Sequence, residues 1–422
     1  MTAPAKRSPY AALKYPAFTA YISAHLSITM ALLVQEVALG YSIYKWTHDP
    51  LSLGLLGLAE ALPYIAVVLF GGHFADRWNK KRIMLLGLGA IIAGSLVLIP
   101  VTSQDLGLPQ GTVLAVIYGV IMLIGFAKGF FNPASGALPA FLVPKEVFPN
   151  ATTWQSSFWQ AGTILGPGIS GFLYAYFGLG ITLWCVVGLL AVAALLITTI
   201  PAPPVPQRPE VDVDLFASLR EGITFVFRTR PILYAISLDL FSVLFGGVLA
   251  LLPVFTEDVL HVGAEGLGIL RAAPSAGAVL TMLAMIHYPP TGKPWRNLLL
   301  AVAGFGAATL VFALSRNIWL SAAALFLTGA FDSVSVIIRQ TVIYLFTPDH
   351  MRGRVSSVNG IFVSSSNELG AFESGVAAKL LGTVPSVVLG GVMTLLTVSI
   401  VWLRSKELFG LRFEGHSHER NA

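Results

Sequence analysis

Apolar positions along this chain come in long uninterrupted runs, not in the short alternations that mark strands. Runs of about 20 residues, long enough to cross a bilayer, occupy 17–44, 52–72, 83–101, 112–131, 152–176, 180–200, 232–255, 264–286, 297–314, 318–345, 355–378 and 385–403. Most polar breaks between them are short. The exception is 201–230, where PAPPVPQRPEVDVD is Pro-rich and charged and LFASLREGITFVFRTRP has the pattern of a short amphipathic helix. The pattern predicts a six-helix bundle over 1–200, a cytoplasmic linker with a surface helix over 201–230, a second six-helix bundle over 231–405 and a cytoplasmic tail over 406–422.

Composition narrows the class further. Apolar residues make up 55% of the chain and charged residues 11%, with a mean hydropathy of +0.76. A soluble domain carries roughly 25% charged residues, so this chain is expected to be an all-α polytopic membrane protein. The runs are helix-length and rich in Gly and Ala, which excludes an outer-membrane barrel. The basic N-terminus runs directly into a full-length span with no cleavage pattern. The single Cys185 excludes a disulfide framework and a cysteine metal cluster. Net charge is +5, but most basic residues sit at helix ends, where they set orientation, so no nucleic-acid partner is expected.

Basic loops stay on the cytoplasmic side. With both termini inside, about 20 Lys and Arg fall in cytoplasmic segments, about 3 in outer loops (Lys45, Arg316, Lys379) and about 3 in spans (Lys128, Arg271, Arg339). The halves also repeat. A shift of 214 places Ser23 and His25 on Ser237 and Asp239, Leu53-Gly54 on Leu267-Gly268, and Arg82 on Arg296. A shift of 204 places Lys128 on Asp332, Pro144 on Pro348, Gly166 on Gly370 and Gly171 on Gly375. Consistent offsets imply parallel repeats. The expected fold is twelve transmembrane helices in two pseudo-symmetric six-helix bundles around a central cavity.

Two motifs carry a resemblance. Gly72-x-x-x-Asp76-Arg77-x-x-Lys80-Lys81 and Gly162-x-x-x-Gly166-Pro167-x-x-x-Gly171 resemble the signature loop of the major facilitator superfamily and the span-5 antiporter signature of its drug exporters. Finer echoes are Ile43-Tyr44-Lys45-Trp46-Thr47, Leu252-Pro253-Val254-Phe255, Gly266-Leu267-Gly268 and Thr347-Pro348-Asp349 with Arg352-Gly353-Arg354-Val355. They are similar to a bacterial branch that holds the enterobactin exporter and macrolide-efflux proteins. The chain departs from the pattern in places. Asn79 stands where the loop has Gly, and Asn also adopts the left-handed turn. The second copy, Pro290 to Arg296, lacks the Asp. Ile121 replaces the span-4 arginine of proton-driven drug antiporters. The resemblance implies a cytoplasmic latch, in which Asp76 meets the positive N-terminus of a helix in the opposite half and Arg77 and its neighbours add charge-assisted bonds. The basic loop also sets topology with or without a latch. The span-5 glycines read equally as close helix packing, with Pro167 adding a kink, or as a leak-preventing element of an exporter.

Charge inside the membrane is the strongest chemical signal. A charged group at the bilayer centre costs roughly 2.5–3.5 kcal/mol on insertion scales. Glu36, Glu60, Asp239, Asp332, Glu368 and Glu373 lie within the expected spans, against only Lys128, Arg271 and Arg339, with His25 able to switch. The excess of acid must be protonated, wetted by a cavity or met by cations, which points to coupling by protons or another cation, or to a cationic substrate. His25 and Glu36 lie eleven residues apart, roughly 16 Å along one helix face, with Thr29 between. Asp332, Ser335 and Arg339 share a face of span 10. Lys128 with Asp332 reads alternatively as a structural salt bridge, Glu60 as part of the packing beside Pro63, and Arg271 as a snorkelling end residue.

Tyr118, Phe126, Phe130, Phe131, Phe241, Phe245 and Phe331 crowd the expected cavity helices and suit an amphipathic organic substrate. The expected protein is a monomeric secondary transporter of the bacterial inner membrane that works by alternating access and exports an amphipathic small molecule, drug or siderophore-like, with proton coupling. Uptake, or movement of a lipid, metabolite or metal, is the alternative within the same fold. A membrane-embedded enzyme would need a zincin motif, a nucleophile elbow or clustered Asp; none is present. No Walker loop, cofactor motif or metal site is seen, and His416-Ser417-His418 is too short for one. The tail leaves no room for the soluble output domain of a receptor.

Overall fold

The computed structural model describes residues 9–103, 106–202, 215–288, 292–348 and 351–411. Helices are the only regular secondary structure among them. In chain order the helices are α1 (Pro16–Thr47), α2 (Pro50–Arg77), α3 (Lys80–Thr102), α4 (Gln110–Ala137), α5 (Phe148–Thr199), α6 (Leu215–Arg228), α7 (Arg230–Phe245), α8 (Val248–Val254), α9 (Gly263–His287), α10 (Pro294–Leu314), α11 (Ile318–Phe346), α12 (Arg352–Leu381) and α13 (Thr383–Arg404). The first part of the linker, the His416-Ser417-His418 tail, Pro290, Thr291 and Asp349 lie outside the described residues.

Ten helical stretches among the described residues are long and apolar enough to cross a bilayer. Two features bear on the difference from the twelve expected runs. α5 covers 52 residues but is two helices joined at a kink, each of a length that suits the roughly 30 Å hydrocarbon core. Gly178, at φ 73° and ψ 178°, breaks it between the two runs expected at 152–176 and 180–200. Only glycine holds that backbone conformation without strain. α12 is 30 residues long, yet Arg352, Arg354, Glu368, Glu373 and Lys379 keep it too polar to qualify by composition. In the seventh run, Gly246 and Gly247 separate α7 from α8, and a π-helical turn over Phe255–Val259 completes the 30-residue stretch.

The chain folds into two compact units, one of residues 1–42 and 59–211, the other of residues 43–58 and 212–422. In the second unit Ala235 and Leu238 of α7, Trp295 and Leu298 of α10, Ile338 of α11 and Val398 of α13 form a dry core. Trp295 Nε1 donates to Ser405 Oγ at 2.8 Å there, satisfying the indole N–H that burial would otherwise orphan. The segment that follows the Pro-rich stretch forms α6. It seats Val226 on Met351, Val355 and Val358 and leaves Ile223 and Phe227 exposed, the two-faced arrangement of a helix lying at an interface. Arg354 Nη1 donates to Glu221 at 2.6 Å and ties α6 to α12.

Candidate transport site

Both units use the same helix crossing, and that crossing places their charges. In the first, a Cβ on Gly125 of α4 would lie 2.2 Å from the Glu60 carbonyl oxygen of α2. In the second, a Cβ on Gly329 of α11 would lie 1.8 Å from the Pro274 carbonyl oxygen of α9. Gly125 and Gly329 differ by the repeat shift of 204, Glu60 and Pro274 by the shift of 214. Backbones touch at these points because no side chain stands between them. One turn beyond the glycine, α4 carries Lys128 and α11 carries Asp332.

In the first unit Lys128 Nζ forms an ion pair with Glu60 Oε1, at side-chain exposures of 22% and 23%. Lys128 therefore finds a carboxylate within its own unit, where the sequence offered Asp332 as one option. In the second unit the Glu60 position is Pro274, which offers Asp332 no charged side chain at that point. Arg339, two turns along α11, instead pairs through Nη1 with Asp239 of α7, at exposures of only 4% and 8%. Arg339 Nε has no hydrogen-bond partner among the described residues. Asp239 and Asp332 line one small recess with Ser242, Phe305, Phe331 and Ser335. Two carboxylates thus face one guanidinium. With both ionised, the cluster carries a net negative charge that a proton or a cationic group would neutralise.

His25 of α1 stands at the repeat position of Asp239. Its Nδ1 is buried with no hydrogen-bond partner among the described residues, and its ring lies 5.9 Å from that of Tyr21. Tyr21 O–H donates to the Ser135 carbonyl at 3.0 Å and accepts from Gln155 Nε2 at 3.2 Å. Thr29 donates its hydroxyl back to the His25 carbonyl at 2.9 Å and turns its methyl toward Gly162, so that hydrogen is committed to the helix. Glu36 is half-buried on the same helix. The span-5 motif packs α5 on α1. A Cβ on Gly162 would lie 2.9 Å from Thr29 Cγ2, one on Gly166 would lie 3.1 Å from Leu33 Cβ, and Pro167 and Gly171 are buried beside them. Of the expected cavity aromatics, Phe131 is buried, Phe126 and Phe130 pair at 5.3 Å, Phe241 and Phe245 stack at 6.3 Å, and Phe331 lines the recess.

The signature loop is short, with only Trp78 and Asn79 between α2 and α3. Asn79 is not left-handed. At φ −66° and ψ 111° it caps α3, accepting from the Arg82 N–H through its side chain, so the loop turns without the conformation glycine would supply. Lys80 is buried with its ammonium 5.2 Å from the Phe141 ring centroid. Lys81 Nζ donates to the Thr198 and Ile200 carbonyls at 2.6 Å each, closing the open C-terminal carbonyls of α5. Both lysines thus have structural work within their unit. Arg77 is exposed and Gly72 has open space around it; the Asp76 side chain lies outside the described residues.

The end of α1, the loop after it and the start of α2 hold contacts that sequence reasoning missed. Tyr44 O–H donates to Asp258, whose position matches it under the 214 shift, and Lys379 Nζ donates to Asp49 Oδ2 at 2.7 Å. A Cβ on Gly57 would lie 3.1 Å from Glu368 Oε2, so α12 brings Glu368 against α2 while Glu373, five residues on, is half-buried elsewhere on the helix. Burial pushes the Asp49 carboxyl up, but bonds from Lys379 and the Leu51 N–H and the Lys379 charge outweigh it and hold Asp49 below its ordinary range. A depressed carboxylate keeps its ion pair at neutral pH and releases it only as pH falls through the lowered value.

Residues 16–371 match the family model described as Major Facilitator Superfamily. The Enterobactin exporter EntS of Shigella boydii serotype 18 is 27% identical over 388 residues, covering 90% of this chain and 86% of that protein. EntS of Shigella flexneri is 27% identical over 387 residues, with the same coverage. Among solved structures, the nucleoside transporter NupG superposes with a TM-score of 0.69 at 14% identity, over 93% of this chain and 99% of that chain. The peptide transporter POT in complex with sulfate superposes with a TM-score of 0.72 at 14% identity, over 94% and 95%. At that identity the structural likeness speaks to the fold alone. The chain belongs to the Major Facilitator Superfamily and is a secondary active transporter of the membrane, not an enzyme.

Proposed function

We propose that this chain exports an amphipathic small molecule, drug or siderophore-like, across the bacterial inner membrane in exchange for protons moving inward. The observation that carries the coupling is the buried Asp239–Arg339 pair with Asp332 in the same recess: two carboxylates on one guanidinium leave a site for one exchangeable proton. The resemblance to an enterobactin exporter over nine-tenths of the chain supports export of an organic compound. In this reading the chain makes twelve spans, with α5 supplying two and α12 the eleventh, in two six-helix bundles. Both termini are cytoplasmic, and the transporter works as a monomer. His25, Glu36, Glu60, Lys128, Glu368 and Glu373 take part in coupling or substrate binding, and Asp76 with Arg77 latches the cytoplasmic side.

The test is accumulation of a panel of fluorescent amphipathic cations in an efflux-deficient bacterium expressing the chain, with and without a protonophore. The expected result is lower accumulation, restored by the protonophore and by Glu36→Gln or Asp76→Asn at normal expression. A panel that accumulates fully despite good membrane expression contradicts broad drug export and leaves a narrow siderophore-like substrate. Full export by Asp76→Asn removes the latch.

A further inference from the structure

A short segment precedes the first long helix of each unit and ends one residue before it. In the first unit a single turn over Ala12–Lys14 leads through Tyr15 into α1. In the second, α6 leads through Thr229 into α7. The 214 shift relates them: it takes Pro16, which opens α1, to Arg230, which opens α7, Ala12 to Val226 and Lys14 to Arg228. Their seats correspond as well. Ala12 is buried, and Asn150 at the start of α5 accepts from its N–H at 2.9 Å. Asn150 also donates to the Pro9 carbonyl at 2.8 Å, which accepts a second bond from Trp154 Nε1 at 3.1 Å. The 204 shift takes Asn150 and Trp154 to Arg354 and Val358 of α12. There a Cβ on Gly222 would lie 3.0 Å from Val358 Cγ2 and 3.1 Å from the Arg354 carbonyl oxygen, and Val226 is buried. The seat of α6 is thus a built part of the repeat.

That seat uses one face of α6 and leaves another bare. Ile223 and Phe227, one turn apart on one face, are 36% and 58% exposed. Arg220 lies one turn before Ile223, and Arg228 follows Phe227; both are exposed and without an ion pair among the described residues. Glu221, the one acid of α6, is taken by Arg354. The chain fixes the depth of this face. Arg230 opens the apolar stretch Arg230–Val259 three residues after Phe227, no more than about 11 Å along the chain. Met351, Val355 and Val358, under Val226, belong to the cap and first two turns of α12. The bare face therefore lies where the spans leave the bilayer. We propose that α6 is a lipid-binding foot: Ile223 and Phe227 enter the boundary between headgroups and acyl chains, and Arg220 and Arg228 hold phospholipid phosphates. A row of two apolar side chains is too narrow for a helical protein partner, which needs anchors over several turns. Flanked by cations, it matches an apolar phase roofed by phosphates. The foot does not depend on the direction of transport or on proton coupling.

Cys185 is the single cysteine of the chain, so a nitroxide label can be placed at Phe227→Cys, or separately at Ile223→Cys, in a Cys185→Ser background. The full chain is put into nanodiscs of phosphatidylcholine and phosphatidylglycerol. Collisions of the label with oxygen, which concentrates in lipid, are compared with collisions with a nickel chelate, which stays in water. Oxygen collisions are expected to exceed nickel collisions at least twofold at both positions. Arg220→Glu with Arg228→Glu, a change of two exposed side chains that leaves the seat intact, is expected to bring that ratio below one at position 227 with the melting temperature unchanged. An excess of nickel collisions without the arginine changes would put the face in water. Protection from both reagents would put a protein there. An unchanged ratio in the arginine variant would remove the phosphate contacts. Each of these three results overturns the proposal.

Discussion

Asp239→Asn is expected to destabilise the second unit by about 3–5 kcal/mol and to abolish transport, because removing one member of a buried pair strands the other. The Glu60–Lys128 pair of the first unit sets the scale. Its side chains are nearly a quarter exposed, so water takes over part of what is lost there, whereas Arg339 and Asp239 are 4% and 8% exposed. Stability and function separate in the double variant Asp239→Leu with Arg339→Met. Apolar residues of similar bulk in place of a buried pair are neutral or stabilising in known cases, so the double variant recovers the melting temperature in detergent, measured by fluorescence-detected size exclusion, while export stays lost. Wild-type stability in Asp239→Asn would show the pair to be solvated after all. Full export in the double variant would take the pair out of the transport path.

Gly329→Ala is expected to be the most damaging single-methyl insertion in the second unit. Its Cβ would fall 1.8 Å from the Pro274 carbonyl oxygen, a backbone atom that cannot rotate away, so α9 and α11 must separate. Overpacking of this kind costs typically 1–3 kcal/mol, and here the separation also shifts Asp332, one turn along. Gly125→Ala, 2.2 Å from the Glu60 carbonyl, is expected to do the same between α2 and α4 and to open the Lys128 ion pair. Gly136→Ala on the same α4, with nothing within 4 Å, serves as the control and leaves yield and melting temperature unchanged. Equal melting temperatures for all three variants would mean that the backbones do not touch as described.

Much of this was legible in the sequence, for identifiable reasons. The long apolar runs are dictated by bilayer thickness, so the helices at 80–102, 294–314 and 318–346 fall close to their expected positions. The amphipathic helix near 215–228 announced itself by its pattern and its Pro-rich approach. Single side chains inside spans were also conspicuous, because charge there is costly. Their pairing was less legible. Lys128 and Asp332 share a repeat position, which suggested a bridge between them, but pairing depends on which helix crosses at the preceding glycine. That crossing brings Glu60 to Lys128 and only Pro274 toward Asp332. Asn79 was expected to replace a left-handed glycine, yet its side chain found a better use as an N-cap. Tyr44 with Asp258 and Asp49 with Lys379 left no local signal, since each pair joins residues far apart in the chain. Their one trace was the 214 shift that relates Tyr44 to Asp258.

The central claim is that the Asp239–Arg339–Asp332 cluster exchanges a proton for substrate. Its most direct test is proton movement in inverted membrane vesicles with an acidified interior and a pH-sensitive dye. Adding a compound that the chain exports should release protons from the vesicle and dequench the dye in wild type, and should leave the signal flat in Asp332→Asn at equal protein level. Dequenching in Asp332→Asn equal to that of wild type would contradict the account and assign the coupling proton to another group.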